Sequence, residues 1–111
     1  MKPPGTPSNA TLEPDDRDWY VEFTLRAARV TRKFGFDDSD FNPTLAAVVA
    51  ALEEDPKQFP KLKGKLASLR AAPMRYRGKN WGVPFALDES LRIVTVLTIE
   101  PIEEAYRTAS R

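Results

Sequence analysis

The chain has 111 residues, no cysteine and no histidine, and a net charge of +1 from 17 Lys+Arg against 16 Asp+Glu. That length suits one domain with a single core. The composition excludes disulfides, thiolate metal sites, cysteine nucleophiles and imidazole acid–base chemistry, and any zinc site would have to be built from carboxylates alone. With 41% hydrophobic residues it reads as a soluble globular protein, and no apolar run approaches the ~20 residues of a membrane helix. The start, Met1-Lys-Pro-Pro-Gly5, has no apolar signal core. A cytoplasmic protein without a membrane partner is expected.

Residues 1–18 hold Pro3, Pro4, Pro7 and Pro14 among mostly polar neighbours. Such a segment buries too little to repay ordering, so a flexible Pro-rich tail is expected before a folded domain at 19–111. Trp19 to Phe23 reads as a first strand, with Trp19, Val21 and Phe23 on one face. Thr24 is placed to cap a helix from Leu25 to about Phe34, stopped by Gly35. Its Arg26, Arg29, Arg32 and Lys33 read as a solvated basic face. After an acidic loop from Phe36 to Phe41, Asn42-Pro43 supplies an N-cap and a proline at the first helical position. Leu45, Val48, Val49 and Leu52 follow at helical spacing up to Asp55-Pro56.

A basic connector comes next, pinned by Phe59 and Leu62, with Leu66 and Leu69 on one side of a short helical turn. From Met74 the period changes to two. Met74–Arg77, Trp81–Leu87 and Leu91–Ile99 read as three strands, joined by turns at Gly78–Asn80 and Asp88–Ser90. Pro84 lacks a ladder N–H and should sit on an edge or at a bulge. Pro101 ends the sheet, and Ile102 to Ala109 forms a closing helix. The expected fold is α+β in the order βααβββα, a small antiparallel sheet with helices packed on one face.

Charge is segregated along this chain. Between Asp55 and Asp88 there is no acid, yet the window holds Lys57, Lys61, Lys63, Lys65, Arg70, Arg75, Arg77 and Lys79. The remainder carries nine positive against 16 negative residues. A lysine cluster beside Arg75-Tyr-Arg77 has the composition of a nucleic-acid site, phosphate-binding charge next to a stacking ring. A solvated charged face is the other reading of the same pattern.

The run Leu52-Glu-Glu-Asp-Pro-Lys-Gln-Phe-Pro-Lys-Leu-Lys-Gly-Lys-Leu66, then Arg75-Tyr-Arg77, Trp81-Gly-Val-Pro-Phe-Ala-Leu-Asp88 and Ile99-Glu-Pro-Ile-Glu-Glu-Ala-Tyr106, resembles the RelE/ParE superfamily of type II toxin–antitoxin toxins. The likeness is closest to its HigB-like and RelE-like members and covers about residues 19–111. It implies a small twisted antiparallel sheet with helices on one face. It implies a ribosome-dependent mRNA endonuclease that uses neither metal nor cofactor, or alternatively a ParE-like inhibitor of DNA gyrase. A non-catalytic RNA- or ribosome-binding module with the same fold is the third reading.

Carried over residue by residue, the resemblance assigns catalysis to Lys63, Lys65, Arg75, Arg77 and Tyr106, and nucleic-acid contacts to Lys57, Lys61, Arg70, Tyr76, Lys79 and Trp81. The implied partners are a cognate antitoxin and mRNA on the ribosome, with no small molecule expected. Two positions depart from the pattern. Gly82 stands where HigB-like toxins have an arginine, and Ile102 where the family often has a histidine. The resemblance therefore implies an active site weakened at both positions.

Overall fold

The computed structural model describes residues 18–37 and 40–109, apart from the side chains of residues 36, 37, 103 and 106. The Pro-rich tail at 1–17 and part of the acidic loop, residues 38–39, lie outside the described residues.

The element order is β1 (Tyr20–Phe23), α1 (Leu25–Asp37), α2 (Phe41–Glu54), β2 (Arg70–Tyr76), β3 (Lys79–Asp88), β4 (Ile93–Val96), β5 (Glu100–Pro101) and α3 (Ile102–Ala109). Short 3-10 turns at Pro56–Gln58 and Gly64–Leu66 shape the connector between α2 and β2. The fold is α+β, and the order is close to that read from the sequence. Among the described residues no helix is long and apolar enough to cross a membrane.

The sheet is mixed. Its strand order is β1-β4-β3-β2, with β5 pairing β3. β2, β3 and β4 form the expected meander, but β1 lies parallel to β4, Tyr20 opposite Ile93 and Phe23 opposite Val96. Local periodicity identifies a strand without identifying its mate, so this pairing was not legible. Pro84 sits in the sheet interior. β3 pairs β4 over Phe85–Asp88 and β5 over Trp81–Gly82. Pro84 falls in the gap between these partners, where its missing N–H costs no ladder bond. Its carbonyl accepts from Leu97 N–H at 2.9 Å.

The helix caps show which local signals held. Thr24 Oγ1 accepts from Ala27 N–H at 3.2 Å, as a cap should, and donates to the Leu97 carbonyl at 2.7 Å. Helix α1 runs through Gly35 to Asp37 rather than stopping there. A Cβ on Gly35 would lie 2.8 Å from Asn42 Oδ1, so this glycine permits the close approach of α1 and α2. Asp40, not Asn42, precedes α2, and Pro43 sits within its first turn, where no intrahelical N–H bond is needed.

Phe34, Phe41, Leu45, Val48 and Leu52 of α1 and α2 pack on the sheet side chains Tyr76, Trp81, Val83, Phe85, Val94 and Val96. Helix α3 is placed differently. A Cβ on Gly82 would meet Ala105 Cβ at 3.3 Å and Ile102 Cγ1 at 3.5 Å. Trp81 and Gly82 are adjacent on β3 and so point to opposite faces. Trp81 faces α1 and α2, so α3 covers the other face at this point.

Candidate nucleic-acid interface

The connector is fixed by its own backbone and by one guanidinium. Leu62 N–H donates to Leu69 O at 2.9 Å and Ala71 N–H to Pro60 O at 3.4 Å. Lys61 bridges Arg70 at the start of β2. Arg70 Nη1 donates to Phe59 O at 2.6 Å and to Lys57 O at 3.3 Å. Arg70, expected to contact nucleic acid, therefore braces the segment that carries the lysines. Lys57 is also engaged. It bonds Glu89 at 2.5 Å and lies over the Trp19 ring at 5.9 Å.

Lys61, Lys63 and Lys65 are exposed along this braced segment. Gly64, at φ +64° between two of them, makes the turn that a side chain would resist. Lys61 and Lys63 line an open groove of about 410 Å³ together with Pro60, Leu62 and Leu66. Of the predicted site residues, Lys61 and Lys63 share this groove, and Lys65 is not among the residues that line it.

Arg75 is exposed on β2 beside Asn80 of β3, its register partner, and donates to Asn80 Oδ1 at 3.0 Å. It lies five residues along the strand from Arg70, about 16 Å at ordinary strand rise. The odd spacing sends the two side chains to opposite faces of the sheet. Arg77 is not on a strand. It and Gly78 form a two-residue turn at φ 53° and 74°, the backbone of a tight hairpin, and its guanidinium lies 5.6 Å from the Tyr76 ring centre. Lys79 is exposed where β3 begins. Tyr106 belongs to α3, and its side chain lies outside the described residues.

Two expected contacts are corrected. Tyr76 and Trp81 are 5% and 6% exposed, so neither presents a face on which a base can stack. They belong to an aromatic cluster with Phe34 and Phe41. Trp81 meets Phe34 edge-on at 5.3 Å, Tyr76 meets Phe41 edge-on at 5.0 Å, and the two rings are 5.6 Å apart. Period-two alternation puts Tyr76 and Trp81 on the helix-covered face, while Arg75 points the other way. Gly82 is also buried, beneath α3. It is a close-packing position, so a cation there would need the helix to move.

Asn80 and Glu89, the partners of Arg75 and Lys57, escaped the sequence reading, as did the groove itself. The Arg77-Gly78 turn fixes the hairpin register, and with it the Arg75–Asn80 pairing. Nothing local in the sequence points from Lys57 to Glu89.

A mixed sheet bearing two helices on one face and a terminal helix on the other at Gly82 can be matched to known structures. The RelBE2 toxin–antitoxin complex of Mycobacterium tuberculosis contains a chain that superposes with a TM-score of 0.56 at 25% identity, over 76% of this chain and 98% of that one. E. coli toxin RelE, in a free form with two arginines replaced by alanine, superposes with a TM-score of 0.64 at 20% identity, over 83% and 94%. This chain has the RelE-type toxin fold. No family model and no curated protein matches it by sequence.

Proposed function

We propose that this chain is the cytoplasmic toxin of a type II toxin–antitoxin system and acts, like RelE and HigB toxins, as a ribosome-dependent mRNA endonuclease. The observation that carries the proposal is the acid-free connector, which holds Lys61, Lys63 and Lys65 exposed on a RelE-type fold. Such a surface binds backbone phosphates. Arg75 and Arg77 of the β2–β3 hairpin are proposed as a second group of cations for the same RNA.

The cleavage itself is a transesterification within the RNA, which the ribosome presents. The 2′-oxygen loses its proton as it bonds to phosphorus, the 5′-oxygen leaves and gains a proton, and a cyclic 2′,3′-phosphate remains. Lys63 and Lys65 are assigned the charge that builds on the phosphorane. Arg75 is assigned the non-bridging oxygens, for which a guanidinium offers a fixed fork of donors. Tyr106 is assigned base stacking or proton transfer. The M. tuberculosis neighbour is a toxin–antitoxin complex, which supports a cognate antitoxin as the protein partner, with acidic groups to cover the connector.

Gly82 beneath α3 favours a second reading. With no cation at that place, the fold would keep RNA or ribosome binding and lose cleavage. The two readings separate on expression of the chain with and without its antitoxin, followed by mapping of RNA 5′ ends. Cuts within codons support the endonuclease. Arrest without cuts supports the binding module, and gyrase-linked DNA breaks would replace both with a ParE-like activity.

A further inference from the structure

The connector groove encloses about 410 Å³ between Pro60, Lys61, Leu62, Lys63 and Leu66, within the ~300–1,000 Å³ usual for small-ligand sites. Its lining is of two chemical kinds. Pro60, Leu62 and Leu66 offer apolar surface, while Lys61 and Lys63, both exposed, bring charge. A bare phosphate gains nothing from the apolar part. A purely apolar partner gains nothing from the two ammonium groups. The matching ligand has a flat, uncharged body with anionic groups on both sides. We infer that this groove seats one unpaired nucleobase of single-stranded RNA, with Lys61 and Lys63 on the phosphates that flank it. The inference rests on the RNA reading above and adds a base seat to it.

The seat is built before the ligand arrives. Leu62 N–H is held by Leu69 O, Pro60 O by Ala71 N–H, and Phe59 O by the Arg70 guanidinium. Little ordering is left to pay for on binding. The groove also has a defined limit on selectivity. Its side chains provide no hydrogen-bond acceptor, lysines only donate, and the Leu62 N–H is already spent. The edge of the base is not read, so any base fits and only the absence of a base is noticed.

The test compares a mixed-sequence RNA hexamer with a ribose-phosphate hexamer lacking all bases, titrated against the full chain at low salt. The intact hexamer should bind about tenfold tighter, as burial of some ~50 Å² of apolar surface would give, and Leu62→Ser with Leu66→Ser should erase that gap while leaving affinity for the abasic hexamer unchanged. Both leucines are half-buried, so the unaltered protein provides a second measurement. Nuclear Overhauser contacts should join the Leu62 and Leu66 methyls to base protons. Equal affinity for the two hexamers, or base protons that touch neither methyl, overturns the base seat while leaving phosphate binding intact. Methyl contacts from an acidic amphipathic peptide, with none from bases, would assign the groove to a protein partner instead. Failure of both hexamers to bind sinks the RNA reading itself. Loss of cellular RNA cleavage with the base gap preserved sinks only the nuclease reading.

Discussion

Gly82 shows how one missing side chain fixes what the neighbouring helix can do. Alanine would place its Cβ at 3.3 Å from Ala105 Cβ, a contact that a shift of a few tenths of an ångström relieves. Arginine cannot be relieved that way. Overpacking of this kind costs about 1–3 kcal/mol, so Gly82→Arg should lower the denaturation midpoint and deprotect the α3 amides to hydrogen exchange, while Gly82→Ala does neither strongly. An arginine variant with α3 still protected would show that the helix accommodates a cation. At the hairpin, Gly78 takes φ +74°, so Gly78→Ala should destabilise by about 1–2 kcal/mol. Arg77→Asn keeps a residue suited to positive φ, gives up the contact with the Tyr76 ring, and should weaken RNA binding while the hairpin stays folded. Unchanged affinity would make Arg77 a turn residue only. At the β3–β4 turn, the Ser90 hydroxyl and then the Leu91 N–H donate to Asp88 Oδ1 and hold this carboxyl below its ordinary 3.8. A depressed folded value stabilises fully above the unfolded pKa and loses that contribution as pH falls through the folded one. Melting curves of Asp88→Asn and the unaltered chain should therefore differ near neutrality and converge in acid. A gap that persists in strong acid would mean that the carboxylate charge is not its source.

The connector between α2 and β2 separates two kinds of basic residue that the sequence presents alike. Arg70 is spent on the Phe59 and Lys57 carbonyls, whereas Lys61, Lys63 and Lys65 face solvent. Arg70→Ala should cost about 1.5–3 kcal/mol, the range for a hydrogen bond to a charged group, and speed amide exchange across residues 57–62. Lys63→Ala should leave stability alone and reduce the slope of log affinity against log salt by about 1. If Arg70→Ala leaves stability and exchange untouched, the guanidinium is a ligand group after all. This division explains why some elements were legible and others not. The Thr24 cap, the α2 stripe through Leu45, Val48 and Leu52, and α3 from Ile102 are set by residues close in sequence. Whether Tyr76 and Trp81 face a base or a helix depends on which side of β2 and β3 the helices cover, which period two alone leaves open. The mate of β1, and the bracing of Arg70, depend on segments distant in the chain or on backbone carbonyls that carry no residue signature.

Across the whole molecule, the acid-free window forms a cationic connector and hairpin, while the rest of the chain is net negative. Binding to RNA or ribosomes should fall steeply as salt rises, because each phosphate contact releases counterions; an affinity indifferent to salt would contradict the interface. The parallel pairing of β1 with β4 has a consequence for the making of the protein. Tyr20 meets Ile93, and Thr24 reaches the Leu97 carbonyl across 73 residues. Contacts so distant must close a long loop before they return any stabilisation, and such topologies fold slowly. During translation the first strand emerges without a mate and waits until the last part of the sheet has left the ribosome. A chain that stalls short of Ile93 lacks the strand that pairs β1 and the carbonyl that anchors the start of α1, so the domain cannot be completed in halves.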